Sequence, residues 1–141
     1  MGVVDDLQRF VDAQDARDTY TEALRELRAG YKQGHWMWFV FPQIAGLGRS
    51  ATAQHFAISG LPEAVAYLAH PVLGSRLLEC ARVLTELPAT DAVKVLGPID
   101  AQKLQSSMTL FSLADPDEHV FRDVLDQYFA GTSDAGTTSR V

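Results

Sequence analysis

A chain of 141 residues with 47% hydrophobic and 21% charged side chains has the size and composition of one ordinary globular domain, neither disordered nor fibrous. Its net charge of −6 and pI near 5.0 supply no general attraction to a phosphate backbone, so nucleic acid is not an expected partner. Cys80 is the only cysteine, which excludes an intramolecular disulfide and any CxxC metal or redox site and suits a reducing cytoplasm.

The N-terminal MGVVDDLQRFVDAQ has no basic stretch ahead of an apolar one. No apolar run approaches the ~20 residues that span a bilayer, so a cytoplasmic protein without membrane association is expected. Gly2 invites comparison with a myristoylation signal, but Asp6 stands where that signal wants Ser or Thr. Asp5 or Asp6 is placed to cap a short first helix in which Leu7, Phe10 and Val11 recur at helical spacing. Over residues 18–29, Tyr20, Ala23, Leu24 and Leu27 share one face, with Glu22, Arg25, Glu26 and Arg28 mostly on the other, and Gly30 is a natural stop.

The next stretch, HWMWFVF over residues 35–41, is apolar on both alternating faces and predicts a buried extended segment. Ser50 then caps a helix over ATAQHFAIS that ends at Gly60. Pro62 fits a first helical turn, Pro71 breaks the run, and Leu73, Leu77, Leu78, Ala81 and Leu84 continue a helix toward Pro88. Thr90 or Asp91 caps DAVKVLG, and Asp100 caps AQKLQSSMTLFSLA. A final helix turns Val120, Phe121, Val124, Leu125 and Phe129 inward. The expected fold is all-α: a compact single-domain array of about six to seven short helices with one extended aromatic segment. It covers residues 1–131 and leaves a polar, flexible tail over residues 132–141.

HWMWFVFPQIAGLGRSATAQHFAI, EAVAYLAHPVLGSRLLEC, DAQKLQSSMTLF and VFRDVLDQYFAG are similar to successive signatures of one family, the bacterial domain of unknown function 1810, sometimes labelled calpastatin-like. The resemblance covers nearly the whole chain. It implies a compact, single-domain helical fold; the family carries no assigned activity, and the label does not imply protease inhibition.

Two stretches hold the candidate chemistry. In the first, Trp36 and Trp38 beside His35 either belong to the core or stack a planar ring, with Trp36, Phe39 and Val40 expected inside. Gln43 follows, and Gly46, Gly48, Arg49 and Ser50 lead into a helix. Free amides at a helix start, glycines that permit close approach and a bidentate Arg49 would hold an anion. A tight turn with a Ser N-cap explains the same residues, and the loop matches neither GxGxxG nor the P-loop. In the second stretch, Lys103, Ser106 and Ser107 share a helix face at i, i+3 and i+4, as a polar pocket or as a packing face whose serines bond the preceding turn.

A serine near a lysine is not a nucleophile signature without a base, and no spacing fixes His35, His55, His70 or His119 in that role, so no catalytic residue is assigned. Without HExxH, an EF-hand loop or a Cys/His cluster, no metal and no cofactor are expected. The leading expectation is a pocket formed by residues 35–50 and 103–107 for an anionic, nucleotide-like or phosphorylated small molecule, bound or processed by hydrolysis or group transfer. Trp36 or Trp38 would stack its ring, Gln43 would bond its edge, and the loop amides, Arg49 and Lys103 would hold phosphate. The alternative is a non-catalytic module that binds another protein or self-associates as a homo-oligomer. Geometry separates the two: the pocket requires Gln43, Arg49, Lys103 and Ser107 to line one concavity.

Overall fold

The helix signals resolve into ten α-helices and no strand among residues 6–141, the part of the chain that the computed structural model describes. They are α1 (Gln8–Asp15), α2 (Thr19–Ala29), α3 (Met37–Val40), α4 (Ala51–His55), α5 (Leu61–Ala69), α6 (Leu73–Glu86), α7 (Ala92–Leu96), α8 (Pro98–Ala114), α9 (Val120–Phe129) and α10 (Ala135–Thr138). The number exceeds the expected six to seven because α3, α4, α7 and α10 are only four or five residues long, too brief to show a periodic apolar stripe.

The longest helix, α8, forms the axis of the domain and packs against α5, α7, α9 and α10. Leu104, Ser107, Met108, Leu110 and Phe111 are all buried on it, and a helix covered on most sides needs no polar face of its own. A chain of rings crosses the core from α1 to α9. Phe10 meets Tyr67 edge-on at 5.1 Å, Tyr67 meets Phe111 at 5.3 Å, and Phe111 meets Phe121 at 5.9 Å. These separations are those of attractive aromatic pairs.

Buried Gln14 knits four helices together. Its Nε2 donates to the Phe39 carbonyl at 2.7 Å and to the Tyr67 hydroxyl at 3.2 Å, while its Oε1 accepts from Arg76 at 3.2 Å. Such a group is stabilising only when its bonds are made, so α1, α3, α5 and α6 are held in one relative placement.

Gly30, Ser50, Asp91 and Pro62 act where expected. Gly30 ends α2 with φ +74°, Ser50 Oγ accepts from the Ala53 amide at 3.0 Å, Asp91 accepts from Val93 at 3.0 Å, and Pro62 lies in the first turn of α5. Five expectations are corrected. The start of α1 takes no side-chain cap from Asp6; Asp5 lies outside the described residues. The aromatic segment is not extended: Met37–Val40 is a helical turn that buries Met37 and Val40. The helix after Ser50 stops at His55, and Ile58 instead forms a parallel bridge with Ile44. Gly97, not Asp100, stands at the N-cap of α8, because Pro98 opens the helix. Residues 132–141, expected as a tail, contain α10, and Thr137 is fully buried against the domain. Asp134 explains this docking: its Oδ2 accepts from Ser106 at 3.1 Å, from the Thr137 amide at 3.0 Å and from the Thr137 hydroxyl at 2.6 Å.

Candidate functional site

The site begins with a buried carboxylate. Glu26, expected on the polar face of α2, is 6% exposed, and its Oε1 accepts from the amides of Gln33 at 2.7 Å and Gly34 at 2.9 Å and from Trp36 Nε1 at 2.9 Å. Burial pushes its pKa up, but the three donors outweigh burial and hold it below the ordinary carboxylate value. Glu26 therefore shapes residues 33–36 and fixes Trp36 in the core. At 1% exposure Trp36 offers no face for stacking. Trp38, two residues on, is half-buried and faces a cleft.

Trp38 separates two concavities. Behind it lies a chamber of about 120 Å³, walled by Gln43, Gln54 and Phe56 and by residues 44–46. In front lies a cleft of about 230 Å³ with Lys32, His35, Ile99, Asp100 and Lys103. A third hollow, about 460 Å³, shares Gln43 and Gly48 with the chamber and Lys103 and Ile99 with the cleft, and ends at Ser106 and Asp134. The three adjoin around Trp38, Gln43 and Lys103.

The charges of the front cleft are arranged around Asp100. Lys32 Nζ lies 2.8 Å from one of its oxygens and Lys103 Nζ 3.1 Å from the other. Two ammonium groups thus share one carboxylate, and one positive charge is left over in a chain that is acidic as a whole. Lys103 also sits 4.6 Å above the Trp38 ring, and Lys32 5.2 Å above the Trp36 ring; these contacts favour cations through the ring quadrupole. Asp134 places a negative charge at the far end of the third hollow, so the positive excess belongs to the Trp38 end.

Burial alone would raise the Asp100 pKa, but its hydrogen bonds and charge interactions with Lys32 and Lys103 bring it below the ordinary value. The lowered value sets a sign. The stability Asp100 contributes is complete above its unfolded pKa of about 3.9 and is lost as pH falls through the lower folded value. Thermal unfolding followed between about pH 6 and pH 2 should therefore show a shallower acid loss for Asp100→Asn than for the wild type.

The remaining candidates divide. His35, Trp38, Gln43 and Lys103 come together, and Gly46, Gly48 and Ser106 line the adjoining hollows. Gly46 has φ +99°, a left-handed conformation that side chains rarely adopt, and Gly48 leaves the space that Ala53 fills. Ser50 spends its oxygen on the start of α4. Arg49 is exposed and lines none of these concavities, though its carbonyl anchors Gln54 at 3.0 Å. Ser107 is fully buried, and its hydroxyl has no partner among the described residues. The expected single concavity is therefore corrected: of Gln43, Arg49, Lys103 and Ser107, only Gln43 and Lys103 line one hollow together. His55 is exposed and stacks edge-on against Phe56 at 4.6 Å. His70 is an acceptor, its Nδ1 receiving the Val72 and Leu73 amides at the start of α6. Lys32, Gln54, Ile99, Asp100 and Asp134 were not singled out as site residues. The signal for Asp134 was legible, an Asp three residues ahead of a Thr at a helix start; the pairing of Lys32 with Asp100 was not, since tertiary contacts such as the bond from the Lys32 amide to the Val95 carbonyl bring them together.

Among the described residues no three His, Cys, Asp or Glu gather as metal ligands, and no helix is long and apolar enough to cross a membrane. Fold and cleft together define a small, single-domain, all-α protein with a cationic, tryptophan-walled surface cleft. The chain belongs to the family described as protein of unknown function (DUF1810), whose model matches residues 4–141. It is similar to the conserved hypothetical protein Rv1873 from Mycobacterium tuberculosis, with 46% identity over 95% of this chain and 94% of that one, and a TM-score of 0.91. No protein of the curated set matches it.

Proposed function

We propose that the protein binds an anionic small molecule, with Lys103 and Lys32 receiving the negative group and Trp38 packing against the body of the ligand. One observation carries this reading: two lysines converge on a single carboxylate beside a half-buried tryptophan, at the point where three concavities adjoin. An ammonium held in a partly desolvated place by one shared carboxylate and a ring is poised to take a second anion. Gln43, half-buried between the chamber and the third hollow, supplies a neutral amide for orientation.

Thermal unfolding in the presence of ribose 5-phosphate or inorganic phosphate tests it. At a hundred times the dissociation constant a ligand should stabilise the protein by about 2.7 kcal/mol. Lys103→Ala should erase that gain while changing the ligand-free stability by about 1 kcal/mol or less, since the lysine contributes one carboxylate pair and one ring contact. An undiminished gain in Lys103→Ala would remove the cleft from consideration.

A further inference from the structure

The chamber behind Trp38 differs in chemistry from the cationic cleft in front of it. Its walls set two side-chain amides, Gln43 and Gln54, against two aromatic rings, Trp38 and Phe56. Each is held. Gln54 Nε2 donates to the Arg49 carbonyl at 3.0 Å, which leaves its amide oxygen as the available group. The Gln43 carbonyl accepts from the Ile58 amide at 2.8 Å, so its side chain starts from a fixed backbone. Phe56 packs 5.2 Å from Phe39, and Arg9 clamps the backbone on either side of it by donating to the carbonyls of His55 and Ala57, both at 2.8 Å. Arg9 is in turn paired with buried Glu63 at 3.2 Å.

A slot with aromatic walls takes a planar group, and amides at its edge discriminate by hydrogen bonding. An edge with an N–H beside a C=O answers both: the N–H reaches the Gln54 oxygen and the C=O accepts from the Gln43 amide. A plain phenyl ring fills the same space and leaves both amides without partners, which is the kind of mismatch that specificity exploits. Resting on the anion-binding reading above, we infer that the chamber recognises a planar ring carrying an amide-type edge, a lactam or a carboxamide, joined to the anionic group held by Lys103. Pyrimidine nucleotides and nicotinamide nucleotides both present that chemistry.

Titration calorimetry of the intact protein with uridine 5′-monophosphate, nicotinamide mononucleotide, phenyl phosphate and ribose 5-phosphate tests the inference. At least one nucleotide should bind about tenfold tighter than phenyl phosphate, the worth of one or two net hydrogen bonds. The tighter of the two identifies the lactam or the carboxamide as the preferred edge. Gln54→Leu should reduce that nucleotide to the level of phenyl phosphate without altering phenyl phosphate itself; Gln43→Leu provides the same comparison should the first variant fail to fold. Equal binding of phenyl phosphate and both nucleotides overturns the inference and leaves the anion site standing, as does a nucleotide preference that survives both substitutions. Heat from none of the four probes removes the anion site and the inference together.

Discussion

Trp36→Ala should lower folding stability by about 3–5 kcal/mol, the usual cost of emptying a large aromatic site in a core. Trp36 is 1% exposed, lies 6.4 Å from the Phe41 ring and beneath the Lys32 ammonium, and donates its indole N–H to Glu26. The substitution opens a cavity and removes one of three donors from a buried carboxylate. Trp36→Phe separates the two effects: it keeps most of the apolar volume, so its loss reports mainly the bond to a charged acceptor, about 1.5–3 kcal/mol. Urea unfolding followed by far-ultraviolet circular dichroism measures both. An alanine variant as stable as the wild type would show that residues 33–36 are not anchored through Glu26.

Gly74→Ala is the second large effect. In α6 a Cβ at this position would lie 2.1 Å from the Leu68 carbonyl oxygen and 2.9 Å from its carbon, both backbone atoms of α5. Neither can swing aside as a side-chain tip does. The two helices must part at their closest approach, and the expected cost is about 3 kcal/mol or more, at the upper end for overpacking. Gly60→Ala is the control. Its φ of 171° is extended backbone, and its nearest neighbour to an added Cβ is Pro62 Cδ at 3.7 Å, an ordinary contact. That variant should stay within about 0.5 kcal/mol of the wild type. Chemical denaturation of the pair decides whether the α5–α6 crossing is as tight as the distances require.

What was legible in the sequence was local. Gly30, Ser50, Asp91 and Pro62 announce helix ends by their own chemistry, and each acts within a turn of itself. The apolar stripes of α2, α6 and α9 are long enough to show their period, and the family resemblance agreed with the all-α reading they support. Residues 35–41 were misread because an unbroken apolar run has no period to display. The loop that leads into Met37–Val40 is set by Glu26, ten residues before Trp36, whose carboxylate no local pattern could place there.

The candidate site was half legible for the same reason. Trp38, Gln43 and Lys103 stood out by residue type. Asp100 reads in the sequence as a helix cap and Lys32 carries no signal; their pairing exists only once the residues after α2 pack against α7 and α8. Ser107 was chosen for its place beside Lys103 on the helix, but the pattern could not tell the face that lines a cleft from the face beneath it.

The contrast between the two tryptophans has a spectroscopic consequence. They are the chain's only two indoles, two residues apart; one is sealed in the core on a carboxylate and the other stands at a cleft under an ammonium. Their emission therefore carries two separable signals. Light from Trp36 follows the integrity of the fold and is shielded from a dissolved quencher, while light from Trp38 is open to quenching and responds to whatever occupies the space around it. The protein contains its own folding reporter and its own occupancy reporter, divided by a single methionine.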